Sequence, residues 1–169
     1  MAELEIHHEG HESDPFGQRI GVLAAIIAVF LAAVTIMSHR SHTEAVIYKT
    51  EANDKWAFYQ AKSIKRAQYD IAARVASQSG GGLVEEFKKE SDRYKREYEE
   101  IQKEALEKEA ETGLAERRAL RYDIGEGLLE LGLVLCSLYF ISKKKLFPAV
   151  GVVSSAAGVL IAATALFLH

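Results

Sequence analysis

Residues 83–122 read LVEEFKKESDRYKREYEEIQKEALEKEAETGLAERRALRY. Steps of alternating four and three residues along this stretch land on Phe87, Ser91, Tyr94, Tyr98, Ile101, Ala105, Lys108, Thr112, Ala115, Ala119 and Tyr122. Eight of these eleven are apolar or aromatic, and the residues between them are mostly Glu, Lys and Arg. A narrow apolar stripe on a charged chain is the pattern of a helix packed along a neighbour, as in a coiled coil. Glu85 precedes Lys89 by four residues, as Asp92 does Arg96, Glu99 does Lys103 and Glu104 does Lys108. Pairs in that order support a helix by about 0.2–0.5 kcal/mol each. Lys108 and Thr112 weaken the stripe, and its alanines suit close packing more than strong association. The stretch therefore reads as an amphipathic helix laid on one neighbour rather than as a dedicated partner-binding zipper.

The neighbour lies upstream. Residues 38–77 contain Ala57, Ala61, Ile64, Gln68, Ile71 and Val75 at the same alternating spacing. Ser77-Gln78-Ser79-Gly80-Gly81-Gly82 then interrupts, and three glycines at about 1 kcal/mol each inside a helix mark a turn, placed at 78–82. The glycine run is no phosphate loop, since no Lys-Ser/Thr follows it and no strand precedes it. Residues 38–77 carry seven basic and four acidic residues, and residues 83–123 carry ten basic and thirteen acidic. The balances of +3 and −3 favour arms folded back on one another, although exposed pairs are individually weak. Straight arms of about 40 residues would reach roughly 60 Å at 1.5 Å per residue.

Apolar segments flank this charged insert. Residues 20–37 are eighteen uncharged residues, enough for a short membrane span. The acidic residues before them and the lack of a small-residue cleavage site argue for an uncleaved anchor rather than a signal peptide. Ala24, Ala28 and Ala32 recur every four residues, a small-residue face of the kind used for helix packing in lipid. Residues 124–141 form a second apolar segment, interrupted by Glu126 and Glu130, and residues 146–168 a third. In the third, Gly151, Ser155, Gly158 and Ala162 are spaced for tight packing, and Pro148 sits in the first turn, where it is tolerated. The expected fold is an all-α membrane protein. It has three transmembrane helices (16–37, 124–141 and 146–168) and a long antiparallel, coiled-coil-like hairpin over 38–123 between the first and second. The tail 1–15 is expected to be disordered. The basic loop 142–145 is expected to stay cytoplasmic, which puts the N-terminus inside and the hairpin outside.

Several residue groups could carry function. His39 and Arg40 (with His42) close the first span, and Asp123, Glu126 and Glu130 open the second on one helix side. Ionisable groups in a span usually face a partner or a water-filled cavity. These could be ion pairs, line an ion or proton pathway, or hold a metal. Trp56, Phe58 and Tyr59 are consecutive enough that at least one must point away from the hairpin's own packing. They are candidates for a subunit or partner contact, with internal packing as the alternative. Arg117, Arg118 and Arg121 are placed to rest on lipid headgroups. His7, His8 and His11, among acidic neighbours, could hold a divalent metal weakly. Cys136 is the only cysteine, so no internal disulfide forms. No nucleophile–base pattern or nucleotide fingerprint is present, so no enzyme activity and no cofactor are expected. The net charge of −3 gives no reason to expect nucleic acid. The expected partners are the lipid bilayer and either further copies of the chain or a membrane complex.

The block NDKWAFYQAKSIK at 53–65, with Asp54, Trp56, Tyr59, Gln60, Ala61 and Lys62, resembles a bacterial membrane-protein family catalogued only as a domain of unknown function, number 4337. Its members share the His/Glu-rich tail, the early span, the charged helix and two later spans joined by a basic loop. The resemblance covers nearly the whole chain. It implies a protein of the bacterial cytoplasmic membrane and brings no functional residues with it.

Overall fold

A computed structural model of the chain describes residues 14–168. It contains three α-helices: α1 (Pro15–Gln78), α2 (Val84–Ser142) and α3 (Leu146–Thr164), followed by a 3-10 turn at Ala165–Phe167. The long helices α1 and α2 pack against each other. Each runs unbroken through the boundary that the sequence suggested between insert and span. The residues gather into two compact units. One combines residues 14–35 with Asp123–Ala163, and the other combines Ile36–Tyr122 with residues 164–168.

Local chemistry sets the helix ends. Pro15 opens α1 at the position where its missing N–H costs nothing, and Asp14 caps it, Oδ1 accepting from the Gly17 N–H at 2.8 Å. That bond, with further bonds from Lys143 and Tyr139, holds the Asp14 carboxyl below its usual range. At the other end the Gly81 N–H donates to the Ala76 carbonyl at 3.1 Å, and Gly80 takes φ 68. This is a Schellman closure, which places a glycine in the left-handed region. Glu85 and Glu86 stand in the first turn of α2, where they oppose the helix dipole favourably. Of the tail expected to be disordered, residues 1–13 lie outside the described residues.

In the first unit, the small residues of α3 meet small residues of α2. Gly151, Ser155, Gly158 and Ala162 are all buried. A Cβ added at Gly158 would stand 2.7 Å from the Gly125 carbonyl oxygen, and one at Gly151 2.7 Å from that of Gly132. The two backbones touch, which is the geometry that small-residue faces permit. The α1 face differs from the expectation. Ala28 and Ala32 are exposed and Ala24 is half-buried. The packed residues are instead Ile20, Ile27 and Val34, seven apart. A seven-residue repeat of large side chains fills the space that an alanine face would leave open.

In the second unit, every position of the expected α2 stripe from Phe87 to Tyr122 is buried or half-buried, with Ala105 and Ala119 at 0% exposure. Cross-pairs fix the antiparallel direction, because Lys62 reaches Glu97, Lys55 reaches Glu104 and Glu51 reaches Lys108. The packed face of α1 is not the expected one. Ala57, Ala61, Ile64, Gln68, Ile71 and Val75 are all exposed. The packed face runs Ser38, Ser41, Ala45, Tyr48, Ala52, Lys55, Tyr59, Lys62, Arg66, Tyr69, Ala73 and Ala76, an unbroken alternation of three and four. Three of its positions are cationic and face acceptors on α2. Lys62 Nζ lies 2.5 Å from Glu97, Lys55 pairs with Glu104, and Arg66 Nη1 donates to Tyr98 Oη at 2.8 Å. The expected Glu104–Lys108 pair gives way to these crossings. Lys108 bridges Glu111 and Glu51 at 2.9 Å each, which raises its pKa.

Candidate functional site

Within the first unit, the carboxylate at the start of the second apolar segment has a protein partner. Glu126 is half-buried on α2, and its Oε1 accepts a hydrogen bond from Thr35 Oγ1 of α1 at 2.6 Å. Thr35 belongs to the uncharged run of α1, and Glu126 to the start of the second apolar segment. Asp123 is also half-buried, whereas Glu130 is exposed. Asp14 accepts from Tyr139 Oη at 3.1 Å and from Lys143 Nζ at 3.2 Å, which ties the start of α1 to the end of α2.

Within the second unit, Arg40 lines a cleft of about 300 Å³ with Met37, Ser41, Glu44, Arg118, Tyr122 and the turn residues Ala165 and Leu166. Arg118 is committed to the protein: Nη2 and Nε donate to the Leu168 carbonyl at 2.6 and 3.1 Å. Arg121 Nη1 donates to the Thr164 carbonyl at 3.2 Å. Two of the three arginines expected at lipid headgroups thus bind backbone carbonyls, Arg121 at the last residue of α3, as basic side chains do at helix C-termini, and Arg118 beyond the turn that follows it. Arg117 is exposed, as is His39. Arginines three residues apart near a membrane boundary suggest lipid in a sequence. That they meet the carbonyls of Thr164 and Leu168 follows only from the fold, although helix C-termini are a standing class of partner for Arg.

The aromatic block divides. Trp56 is half-buried and its Nε1 donates to Glu109 at 2.8 Å. Tyr59 lies edge-on to Trp56 at 5.4 Å and to Tyr98 at 5.3 Å between ring centroids. Phe58 is 59% exposed. The three-residue group therefore gives two members to the hairpin's own packing and one to the surface. Among the described residues, no group of three or more His, Cys, Asp or Glu side chains is placed to hold a metal ion. His7, His8 and His11 lie outside the described residues.

Compared with known families, residues 16–168 match the model of a domain of unknown function, DUF4337. The chain belongs to that family. No curated protein and no solved structure matches it. The DUF4337 match takes in all three helices and both units. The domain is thus the whole helical body and not only the aromatic block at 53–65. Three helices of this DUF4337 chain are long and apolar enough to cross a membrane.

Proposed function

We propose that this DUF4337 chain is an integral protein of the bacterial cytoplasmic membrane that acts in assembly, binding further copies of itself or a membrane complex through its helical hairpin. In this reading residues 16–37, 124–141 and 146–168 span the bilayer, and the hairpin stands outside. The observation that carries it is an apolar surface that the hairpin does not use for its own packing. Ile64, Ile71 and Val75 share one face of α1 and are each 58–61% exposed. A soluble surface seldom leaves such a row uncovered without a binding role. The test is the native mass of the protein in lipid discs, with every co-purifying chain identified. More than one copy, or one copy bound to a different membrane protein, is the expected result. A lone chain with no companion overturns it.

A second reading follows from the Thr35–Glu126 bond. A carboxylate held within an apolar segment is a common element of proton and cation paths, and an oligomer could line such a path with Glu126 and Glu130. Glu126→Gln with Glu130→Gln would then abolish flux in vesicles. On the assembly reading the double variant changes stability and leaves permeability as it was.

A further inference from the structure

The exposed row on α1 is more ordered than a scattered patch. Ala57, Ala61, Ile64, Gln68, Ile71 and Val75 alternate by four and three over three turns-of-seven, the same rule that the buried face obeys. The two series are offset by two residues, which at about 100° per residue places them on opposite sides of one helix. One side is filled by α2. The other is a second heptad seam, with Ala57, Ile64 and Ile71 at its d positions and Ala61, Gln68 and Val75 at its a positions.

We propose that this outer seam is occupied by the same seam of a second copy, its α1 running in the same direction. The proposal rests on the assembly reading and names its partner and surface. Three features favour a second copy. A repeat of a and d positions is complementary to itself about a two-fold axis. The flanking residues also suit a parallel pair, where each g position faces the e position five residues on in the partner. Gln60 then meets Lys65, and Ala67 meets Ala72, with no like charges opposed. The antiparallel register that pairs all six seam positions sets Lys65 against its own copy instead. Finally, within residues 57–75 Gln68 is the single polar residue at an a position, and in a parallel pair it meets another Gln68 with a donor and an acceptor to offer. A lone buried polar residue of this kind fixes register and copy number. The spans give the same direction, because copies anchored alike in one bilayer present α1 alike.

The test uses the full chain in native vesicles, with a single new cysteine at Ile64→Cys, Ile71→Cys or, on the α2 surface, Asp92→Cys. The native Cys136 is buried at 0% exposure and stays out of the reaction. Mild oxidation is expected to give disulfide-linked dimers at 64 and at 71 but not at 92. Dimers found only when Ile64→Cys is mixed with Gln68→Cys overturn the parallel pairing, and no dimer at either position overturns the seam. Ile64→Glu with Ile71→Glu gives the second readout. Its native mass is expected to fall twofold with helix content unchanged, since neither side chain packs inside the hairpin. If the double variant keeps its mass, another surface joins the copies: the seam fails while the assembly reading stands. A wild-type chain found as one copy beside a different protein also refutes the seam and leaves the accessory role intact.

Discussion

Lys62 and Glu97 show how much a single pair in the hairpin is worth and under which conditions. Both side chains are about a third exposed, at 28% and 34%, so the pair contributes on the order of 1 kcal/mol or less. The Lys62 bond holds the Glu97 carboxyl below its usual range, with Lys62, Arg93 and Lys65 adding charge attraction. A carboxyl depressed in the folded state adds stability above its unfolded pKa, and that stability is lost as pH falls through the folded value. The thermal midpoint of the helical signal should therefore drop as pH is lowered from about 5 toward 3, a window set by the ordinary Glu pKa of about 4.3. Glu97→Gln should lower the midpoint slightly at neutral pH and flatten part of the acid limb. An acid limb identical in the variant would remove Glu97 from the account. Ala105 and Ala119 test packing rather than charge. At 0% exposure neither site has room, so Ala105→Leu should cost about 1–3 kcal/mol through overpacking, seen as a lower midpoint in the same melts.

At the scale of elements, turn and close contact are set by glycine in different ways, and the difference can be measured. Gly80 needs its freedom for φ 68, since a side chain there adopts the left-handed region at a cost of about 1–2 kcal/mol. Gly82 has open space around it and no such angle. Gly80→Ala should therefore destabilise the second unit, and Gly82→Ala should be close to neutral. Gly158 is a contact instead. Gly158→Leu should separate α2 from α3 in the first unit and lower its resistance to heat in detergent far more than Gly80→Ala does. The α2 stripe, the glycine turn and the small-residue row of α3 were legible in the sequence because each is written in residue type at regular spacing. The α1 face was not legible. Lys55, Lys62 and Arg66 occupy its seam, and such cations ordinarily face solvent. The outer row of Ala57, Ile64 and Ile71 is more apolar and so carries the sequence pattern of a packed face. The energy comes from acceptors on α2 (Glu104, Glu97 and Tyr98), whose positions across the pair only the fold supplies. The Thr35–Glu126 bond was hidden for the same reason, since a threonine in an apolar run carries no signal of its own.

At the scale of the molecule, the proposed topology turns on a count of spans and on one short loop. If all three segments cross as proposed, residues 14 and 168 lie on opposite sides of the bilayer. Residues 142–145 carry three lysines in succession, and short loops of this kind are retained in the cytoplasm. Arg40, Arg117, Arg118 and Arg121 pull the other way by simple count. Yet Arg118 and Arg121 are engaged with the carbonyls of Leu168 and Thr164, and charges in long inserts weigh little in this rule. In the proposed topology it is therefore the lysine loop that sets the direction. Single cysteines at Gly81→Cys in the turn and Lys144→Cys in the loop check it, since both positions are exposed. A membrane-impermeant thiol reagent applied to intact cells should label Gly81→Cys and leave Lys144→Cys untouched until the membrane is opened. Labelling in the reverse order would put the hairpin in the cytoplasm, and any partner for its outer seam would then be sought there. Labelling of both before opening would mean that residues 124–141, with Glu126 and Glu130 among them, do not cross the bilayer, and the ion-path reading would fall with that span.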